Sequence, residues 1–237
     1  MKTLLRGLVL GVACCVAAAA QAADVTKLVA DLKSNDSDVR RAAAKGLAEM
    51  GPDAKPAAPA LITALKNDKD LFVRRFAAQA LGEVEADPKT AVPALSAVLK
   101  EEDKKELVEA AVTSLGKMGQ PAVPPLIDAL KNKAAAPNKD KKKGPAPADP
   151  TAFVRTKAAE ALGNIGPKAK AAVPALTDAL RDANVRTEAA IALGNIGPDA
   201  KDAVPALQDA AKAKGNKKDK GFKQAVNDAV KKIQAKD

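Results

Sequence analysis

The side chains that most often carry enzyme chemistry are scarce in this sequence. Among 237 residues there is no His, and the two Cys are Cys14 and Cys15. A Ser or Cys nucleophile therefore has no His to activate it. Zinc and non-haem iron lose their usual imidazole and thiolate ligands.

The acidic residues give no stronger signal. The run 101–103 reads Glu-Glu-Asp, but Lys104 and Lys105 follow at once, which is typical of a solvated loop. Asp36 and Asp38 lack the further oxygen ligands that a calcium ion needs. We predict no catalytic residue, no metal site and no cofactor, and hence a protein that is not an enzyme.

Cations, in contrast, recur at a fixed place in the chain. Five of them lie seven residues after a Pro that recurs along the chain: Lys66, Lys100, Lys131, Arg181 and Lys212. Lys33 holds the equivalent position in the N-terminal segment. A regular row could meet an extended acidic ligand. The same positions would also end helices, where a cation favours the negative end of the helix dipole. Asp128, Asp178 and Asp209 lie three residues before three of these cations and could pair with them.

The elements that must carry these cations are repeated. Residues 185–198 read VRTEAAIALGNIGP, and 154–167 read VRTKAAEALGNIGP. This first element recurs with drift, and a second element of the form VPALxxAL follows each copy. The Leu of the first element and the Pro of the second mark the copies: Leu47, Leu81, Leu115, Leu162 and Leu193, then Pro59, Pro93, Pro124, Pro174 and Pro205.

Both elements have helical spacing. Val185, Ala189, Leu193 and Ile196 fall on one face of a helix. We predict N-caps at the Asp four residues before the Arg of the element, and a left-handed Gly before Pro at its end. The Pro of the second element suits the first turn of a helix. The N-caps are Asp36, Asp70 and Asp182, and the Gly-Pro stops begin at Gly51, Gly166 and Gly197.

The ends of the chain follow the same pattern. Residues 24–33 match the second element, and 219–233 match the first. One helix pair cannot bury its own apolar face, so pairs must stack. We predict an all-α fold, an α-α superhelix of about six helix pairs.

These residues resemble the HEAT-repeat family, in the short form also found in bilin lyases. The matching features are Asp-x-x-Val-Arg at 182–186, Ala-Leu-Gly at 192–194, the Gly-Pro turn and Val-Pro-Ala-Leu. The resemblance implies a HEAT/armadillo-like solenoid whose second helices form a concave binding face. It also implies that an Arg row is structural, each Arg bonding to an Asp or carbonyl of the adjacent repeat: Arg40, Arg74, Arg155 and Arg186. In the third copy Val108 replaces the Arg.

The positive charge is concentrated in the insertion and in the C-terminal segment, and the body of the repeats is nearly neutral. Repeats are predicted at 23–132 and 151–237, the latter ending in a capping helix, with a disordered Lys/Pro/Ala-rich insertion at 133–150. The net charge is +10, but 151–211 carries seven basic and seven acidic residues, whereas 212–237 carries nine and three. A nucleic-acid partner is therefore disfavoured, because phosphate binding would need positive charge on the repeats themselves.

The N-terminus reads as a secretory signal peptide. Lys2 and Arg6 precede an apolar run, and Ala20-Gln21-Ala22 fits a cleavage pattern. We expect residues 1–22 to be removed near Ala22-Ala23, no transmembrane span in the mature chain, and a periplasmic or secreted location. Lipidation at Cys14 or Cys15 is an alternative.

Together these observations favour a non-enzymatic scaffold that binds a protein or peptide. Two alternatives remain open. One is a lyase-related enzyme or an enzyme-accessory module. The other is a protein that binds an anionic envelope polymer through its Lys-rich insertion and C-terminus.

Overall fold

The computed structural model describes residues 24–132, 149–213, 215 and 218–235. Every regular element within these ranges is helical, and no strand occurs in them. The predicted all-α class is therefore confirmed. The chain divides into two compact units, Met1–Asp87 and Pro88–Asp237, which are described separately.

The first unit is built on two helix pairs. Its elements are α1 (24–31), α2 (Ser37–Met50), a 3₁₀ segment (Gly51–Ala57), α3 (Ala58–Asn67) and α4 (Leu71–Glu83). Helix α4 packs against both α2 and α3, and Leu28 of α1 lies against Gly46 of α2. Leu47, Leu61 and Leu81 are fully buried, so the repeated Leu of each element forms the core.

The second unit repeats this arrangement. Its elements are α5 (Pro88–Val98), α6 (Lys105–Met118), a 3₁₀ segment (Gln120–Ala122), α7 (Val123–Lys131), α8 (Ala152–Ile165), a 3₁₀ segment (Gly166–Ala172), α9 (Val173–Ala179), α10 (Arg186–Ile196), a 3₁₀ segment (Gly197–Ala203), α11 (Val204–Lys212) and α12 (Lys220–Gln234). Helices α6, α8, α10 and α12 contact one another in sequence, and α5, α7, α9 and α11 each pack on the helix that follows. Two helical layers result.

The predicted N-caps form in the first unit. The carboxylate of Asp36 accepts a hydrogen bond from Asp38 N–H, and that of Asp70 accepts from Phe72 and Val73 N–H. The prediction for Asp182 was wrong. Helix α10 begins only at Arg186, with Val185 at its N-cap position, and the Asp182 side chain accepts instead from the N–H of Asn184 in the preceding turn.

We call the helices formed by the first element first-type helices and those formed by the second element second-type helices. The glycines that end the first-type helices have positive φ but not the predicted left-handed helical conformation. Gly51, Gly166 and Gly197 have φ of 59°, 67° and 77° with ψ of −138°, −138° and −144°. Gly119, which no Pro follows, adopts the same geometry. Only Gly occupies this extended region readily. This glycine conformation turns the chain out of the α-helix and directly into the 3₁₀ segment that follows.

Proline positions differ among the second-type helices. Pro59, Pro124, Pro174 and Pro205 lie in the first turn, as predicted. Pro93 lies inside α5, because that helix begins five residues earlier, at Pro88. The 3₁₀ segment of the third copy has three residues, against seven in the first, fourth and fifth copies, which accounts for the closer spacing of its Leu and Pro.

Two glycines allow the first-type helices of the second unit to approach closely. A Cβ added to Gly163 of α8 would lie 2.9 Å from Ala192 Cα, and one on Gly194 of α10 would lie 2.7 Å from Ala229 Cα. Real Cβ atoms do not approach backbone carbon so closely. The Gly of the Ala-Leu-Gly element is therefore a packing residue between adjacent repeats.

The predicted insertion at 133–150 lies mostly outside the described residues, and its disorder stays a prediction for 133–148. Asp149 is described, and it belongs to the folded start of α8. Its carboxylate accepts from the N–H and the hydroxyl of Thr151, at 2.9 and 2.7 Å. The folded repeat thus begins at least two residues before the predicted boundary at 151.

Candidate ligand-binding surface

The Arg side chains at the starts of the first-type helices bond to neighbouring repeats. Arg40 makes a bidentate contact to Asp68, with Nε–Oδ2 of 2.7 Å and Nη2–Oδ1 of 2.9 Å. Arg186 Nη2 lies 2.8 Å from Asp219 Oδ2. Arg74 Nε donates to the carbonyl of Leu65, at 2.8 Å. These contacts fix the loops between helices.

Arg155 is the most buried member of this row. Its side chain is 2% exposed, and it forms ion pairs with both Asp149 and Asp182. Its Nε donates to the Thr151 hydroxyl at 3.1 Å. Where the third copy has Val108 in place of Arg, the side chain is fully buried, so the position joins the apolar core instead.

Ion pairing also lowers the pKa of two Asp carboxyl groups in the loop before α4. Hydrogen bonds from Arg41 lower the pKa of Asp70 to about 2, and backbone N–H groups of Val73 and Phe72 add to this. Burial alone would raise the pKa of Asp68, but its hydrogen bonds with Arg40 and with the N–H of Asp70 leave it lowered. These carboxylates are held in the charged form that the fold requires.

The second row of cations is arranged differently. All six are exposed: Lys33, Lys66, Lys100, Lys131, Arg181 and Lys212. Lys66, Lys131 and Lys212 lie in the last turns of their helices, whereas the other three lie two residues beyond a helix end. None forms an ion pair with a described residue, and the possible partners at 128, 178 and 209 stay exposed. The i,i+3 pairing that the sequence allows is therefore not made there.

The second unit brings two of these cations to one groove. Lys100 and Lys131 line a groove of about 600 Å³ between α5 and α7. Leu99, Pro125 and Ala129 supply apolar surface, and the polar lining residues are Ser96, Asp128 and Asn132. Lys33 and Lys66 belong to the first unit, and Arg181 does not line this groove. The predicted ladder thus contributes one adjacent pair to a concave surface.

A wider groove of about 1090 Å³ lies between α11 and α12, and it includes Lys212, Lys223 and Lys231. Asn227 and Lys231, which also line it, align with Ala190 and Gly194 of α10. In α10 these positions are small and buried. Polar residues at the equivalent places in α12 are typical of a capping helix at the end of a repeat array, so part of this groove is a solvated end face.

Metal binding finds no support in the described ranges. No group of three or more His, Cys, Asp or Glu side chains there could hold a metal ion. In the acidic run at 101–103, Glu101 Oε2 pairs with Lys104 Nζ at 2.6 Å. That pairing fits a structural loop.

Two features escaped the sequence prediction. Lys157 Nζ lies 2.7 Å from Glu109 Oε1, which joins α8 to α6, and hydrogen bonds from Lys157 to Glu109 and Glu160 raise its pKa. Phe72 is 51% exposed, with Arg41 and Arg75 over its ring. The Lys157–Glu109 ion pair links the first helices of the third and fourth copies, and aligning those copies by their Leu places the two residues at neighbouring positions. Phe72 lies on the exposed face of α4, whereas the helical spacing of apolar residues points to the buried face.

The fold and its surfaces define a class: an all-helical repeat protein with paired Arg contacts between repeats and exposed cations on the other helical layer. Models of HEAT repeats match residues 25–104, 58–139 and 147–226. The chain belongs to the HEAT-repeat family. No curated protein matches it significantly.

A solved structure gives a more specific similarity. The complex of CpcE and CpcF of phycocyanin lyase from Nostoc sp. PCC7120 contains a chain that is 28% identical, with a TM-score of 0.51. The alignment covers 88% of this chain and 87% of that one. The predicted resemblance to repeats of the lyase type is thereby confirmed. None of the described helices is long and apolar enough to cross a membrane.

Proposed function

We propose that this HEAT-repeat protein is an exported, non-enzymatic scaffold that binds an acidic segment of a protein or peptide partner. The observation that carries the proposal is the groove between α5 and α7. Lys100 and Lys131 border it and make no ion pair with described residues, so their charge is available to a ligand.

The groove combines charge with apolar surface. Leu99 and Ala129 line it but are only 5% and 8% exposed, so the partly exposed Pro125 supplies most of the apolar surface that a peptide can cover. Asp128 lies in the same groove and opposes a uniformly acidic ligand. A segment with spaced carboxylates and an apolar residue between them fits this lining better than a polyanion does. Exposed ion pairs contribute only about 0.2–1 kcal/mol each, so we expect weak, salt-sensitive binding.

The similarity to a chain of the CpcE–CpcF complex supports a protein partner, since that structure is an assembly of two different proteins. The same similarity favours a second candidate, an accessory module of a lyase-type enzyme. The candidates differ in their consequence. An accessory module must alter the rate of an enzyme when added to it, whereas a scaffold need only bind.

A labelled peptide with Glu at every third residue and Leu between them tests the groove. We expect fluorescence anisotropy to show binding that Lys100→Gln with Lys131→Gln weakens about tenfold. The matched control is Lys55→Gln with Lys201→Gln, which removes two exposed lysines from 3₁₀ segments outside this groove. Equal affinity of both double variants would contradict the assignment.

Export is the second part of the proposal, and the sequence of residues 1–22 supports it. Intact mass spectrometry of the protein from an envelope fraction is expected to give a chain that begins at Ala23. A chain retaining Met1 would overturn export. A lipid-modified chain beginning at Cys14 or Cys15 would replace cleavage at Ala22-Ala23 by lipidation.

Binding to an anionic envelope polymer is a third candidate, because Lys212, Lys223 and Lys231 share the groove between α11 and α12. Binding through such charges should disappear at moderate salt, since exposed charges are screened within about 8 Å at 0.15 M. Polygalacturonate is a suitable probe. If deletion of residues 133–150 leaves its binding unchanged, the Lys-rich insertion has no part in it.

A further inference from the structure

The outward face of α4 carries an aromatic and arginine cluster that is separate from the groove between α5 and α7. It consists of Leu71, Phe72, Arg75 and Phe76, and we call it the α4 cluster. Arg75 lies four positions after Leu71 and three after Phe72, and Phe76 lies four after Phe72, so the four residues share one side of the helix. The buried residues of α4, among them Val73, Ala77 and Leu81, occupy the opposite side.

Arg75 stacks on both rings of the cluster. Its guanidinium carbon lies 5.4 Å from the centroid of Phe72 and 4.8 Å from that of Phe76. Arg41 lies over the other part of this surface, 5.1 Å from the Phe72 centroid. A cation over an aromatic ring is attracted to the ring face, and the N–H groups of the guanidinium can still donate hydrogen bonds to a ligand.

The two arginines are not equivalent. Arg41 already bonds to Asp70 and Asp38. Arg75 makes no hydrogen bond or ion pair with any residue in the described ranges. A part-buried guanidinium that lies over aromatic rings and has no carboxylate partner is a site to which a carboxylate can bind through two parallel hydrogen bonds.

Comparison among repeats marks the cluster as particular to α4. The three positions of Phe72, Arg75 and Phe76 hold other combinations in the other first-type helices: Asp38, Arg41 and Ala42; Glu106, Glu109 and Ala110; Phe153, Thr156 and Lys157; Asn184, Thr187 and Glu188; Gly221, Gln224 and Ala225. The packing residues of the element recur, so the repeat does not require two Phe here. An exposed Phe on a surface with only four Phe in the whole chain needs another reason.

We infer that the α4 cluster is a docking site for a protein segment that carries one carboxylate beside an aromatic or large apolar side chain. The carboxylate binds Arg75, and the apolar side chain covers Phe72 and Leu71. The charge of the first unit favours a single carboxylate over a polyanion. Residues 24–87 carry 10 Lys and Arg against 11 Asp and Glu, and the exposed Asp38 lies beside Arg41. Arginine and aromatic side chains together are the residues enriched at the energetic centres of protein interfaces.

A minimal probe tests this chemistry without knowledge of the partner. N-acetyl-phenylalanine supplies a carboxylate and a ring, and its amide supplies the ring alone. We expect the acid, titrated into the ¹⁵N-labelled chain, to shift the amide resonances of residues 71–79 and the Arg75 Nε–H resonance. The amide should bind at least tenfold more weakly. Arg75→Gln should abolish the difference between the two, and Phe72→Ala should weaken both.

Controls separate this site from the proposed groove. Lys66→Gln, an exposed cation in the same unit, and the double variant of Lys100 and Lys131 should leave the shifts at 71–79 unchanged. The inference is overturned if the acid and its amide bind equally, if the shifts lie elsewhere, or if Arg75→Gln has no effect. An oligothymidylate that shifts residues 71–79 more strongly than the acid would also overturn it, in favour of a nucleic-acid site.

Discussion

The two rows of cations have equally regular spacing in the sequence and opposite environments in the structure. The Arg side chains of the first-type helices bond to a carboxylate or carbonyl across the loops, and Arg155 is almost fully buried. The cations of the second-type helices are exposed and make no ion pair with described residues. Regular spacing therefore shows only that a position matters to each repeat. The burial of the side chain and its hydrogen-bond or ion-pair partners distinguish a residue that stabilises the repeat from one that is available for binding.

Arg155→Met should have the largest effect on stability. The substitution keeps much of the side-chain volume but leaves Asp149 and Asp182 without their guanidinium. Breaking a buried ion pair typically costs about 3–5 kcal/mol, and because both carboxylates are partly solvated we expect the lower end, about 3 kcal/mol. Urea denaturation of the mature chain measures it.

Arg40→Met is the matched comparison, since Arg40 holds the same place in its repeat but is more exposed. The free energy of unfolding should fall clearly less in Arg40→Met than in Arg155→Met. If the two variants were equally stable, burial would not be what distinguishes the members of this row.

Gly194→Ala tests whether the first-type layer depends on close helix approach as well as on ion pairs. The added Cβ would lie 2.7 Å from Ala229 Cα, and overpacking of this kind costs about 1–3 kcal/mol. Gly116→Ala is the control, because its Cβ would meet only Ala161 Cβ at 3.8 Å. Since Ala is a better helix former than Gly by about 1 kcal/mol, we expect Gly116→Ala to be neutral or stabilising. Thermal unfolding should show a lower midpoint for Gly194→Ala and an unchanged or higher midpoint for Gly116→Ala, and an equal decrease in both variants would contradict the packing argument.

The sequence specified the architecture better than it specified the surfaces. Repeated apolar spacing predicted the helices and their Leu core, because the same packing problem recurs in each pair. It did not predict the ψ of Gly51 or the late start of α10, since both depend on how the chain enters the following segment. Phe72 and Arg75 were missed because their combination with Phe76 occurs in no other copy of the element. A surface that differs from the repeat can be found by aligning the copies and asking which exposed positions depart from the rest.

Acid should weaken the ion pair between Arg41 and Asp70 at the start of α4 and leave the exposed cations unaffected. The folded-state pKa of Asp70 is about 2, below its ordinary value of 3.8, so the pairing with Arg41 stabilises the fold fully above pH 4. This contribution decreases as the pH falls below 4 and is lost as the pH passes through 2. Asp70→Asn retains an N-cap side chain but no longer titrates. The variant should be less stable at pH 6, and its stability should fall less steeply between pH 4 and 2.

That measurement requires chemical denaturation at several pH values. If the stability of Asp70→Asn and that of the parent chain fell with the same slope between pH 4 and 2, Asp70 would not be held in its charged form by Arg41. The exposed cations give no such dependence, because they have no carboxylate partner among the described residues.

Replacing Lys66, Lys100 and Lys131 with Gln should have the smallest effect on stability. If these cations acted through the helix dipole alone, each would contribute about 0.3–1 kcal/mol at low salt. Lys100 lies beyond the end of α5 and the others are fully accessible to solvent, so we expect a summed loss near the lower limit for a single site, about 0.5 kcal/mol or less. Binding of the acidic peptide should fall about tenfold or more in the same variant. A loss of about 2 kcal/mol in stability with unchanged peptide affinity would instead place this row with the arginines, as a device that stabilises helix ends, and the contrast between the two rows would no longer hold.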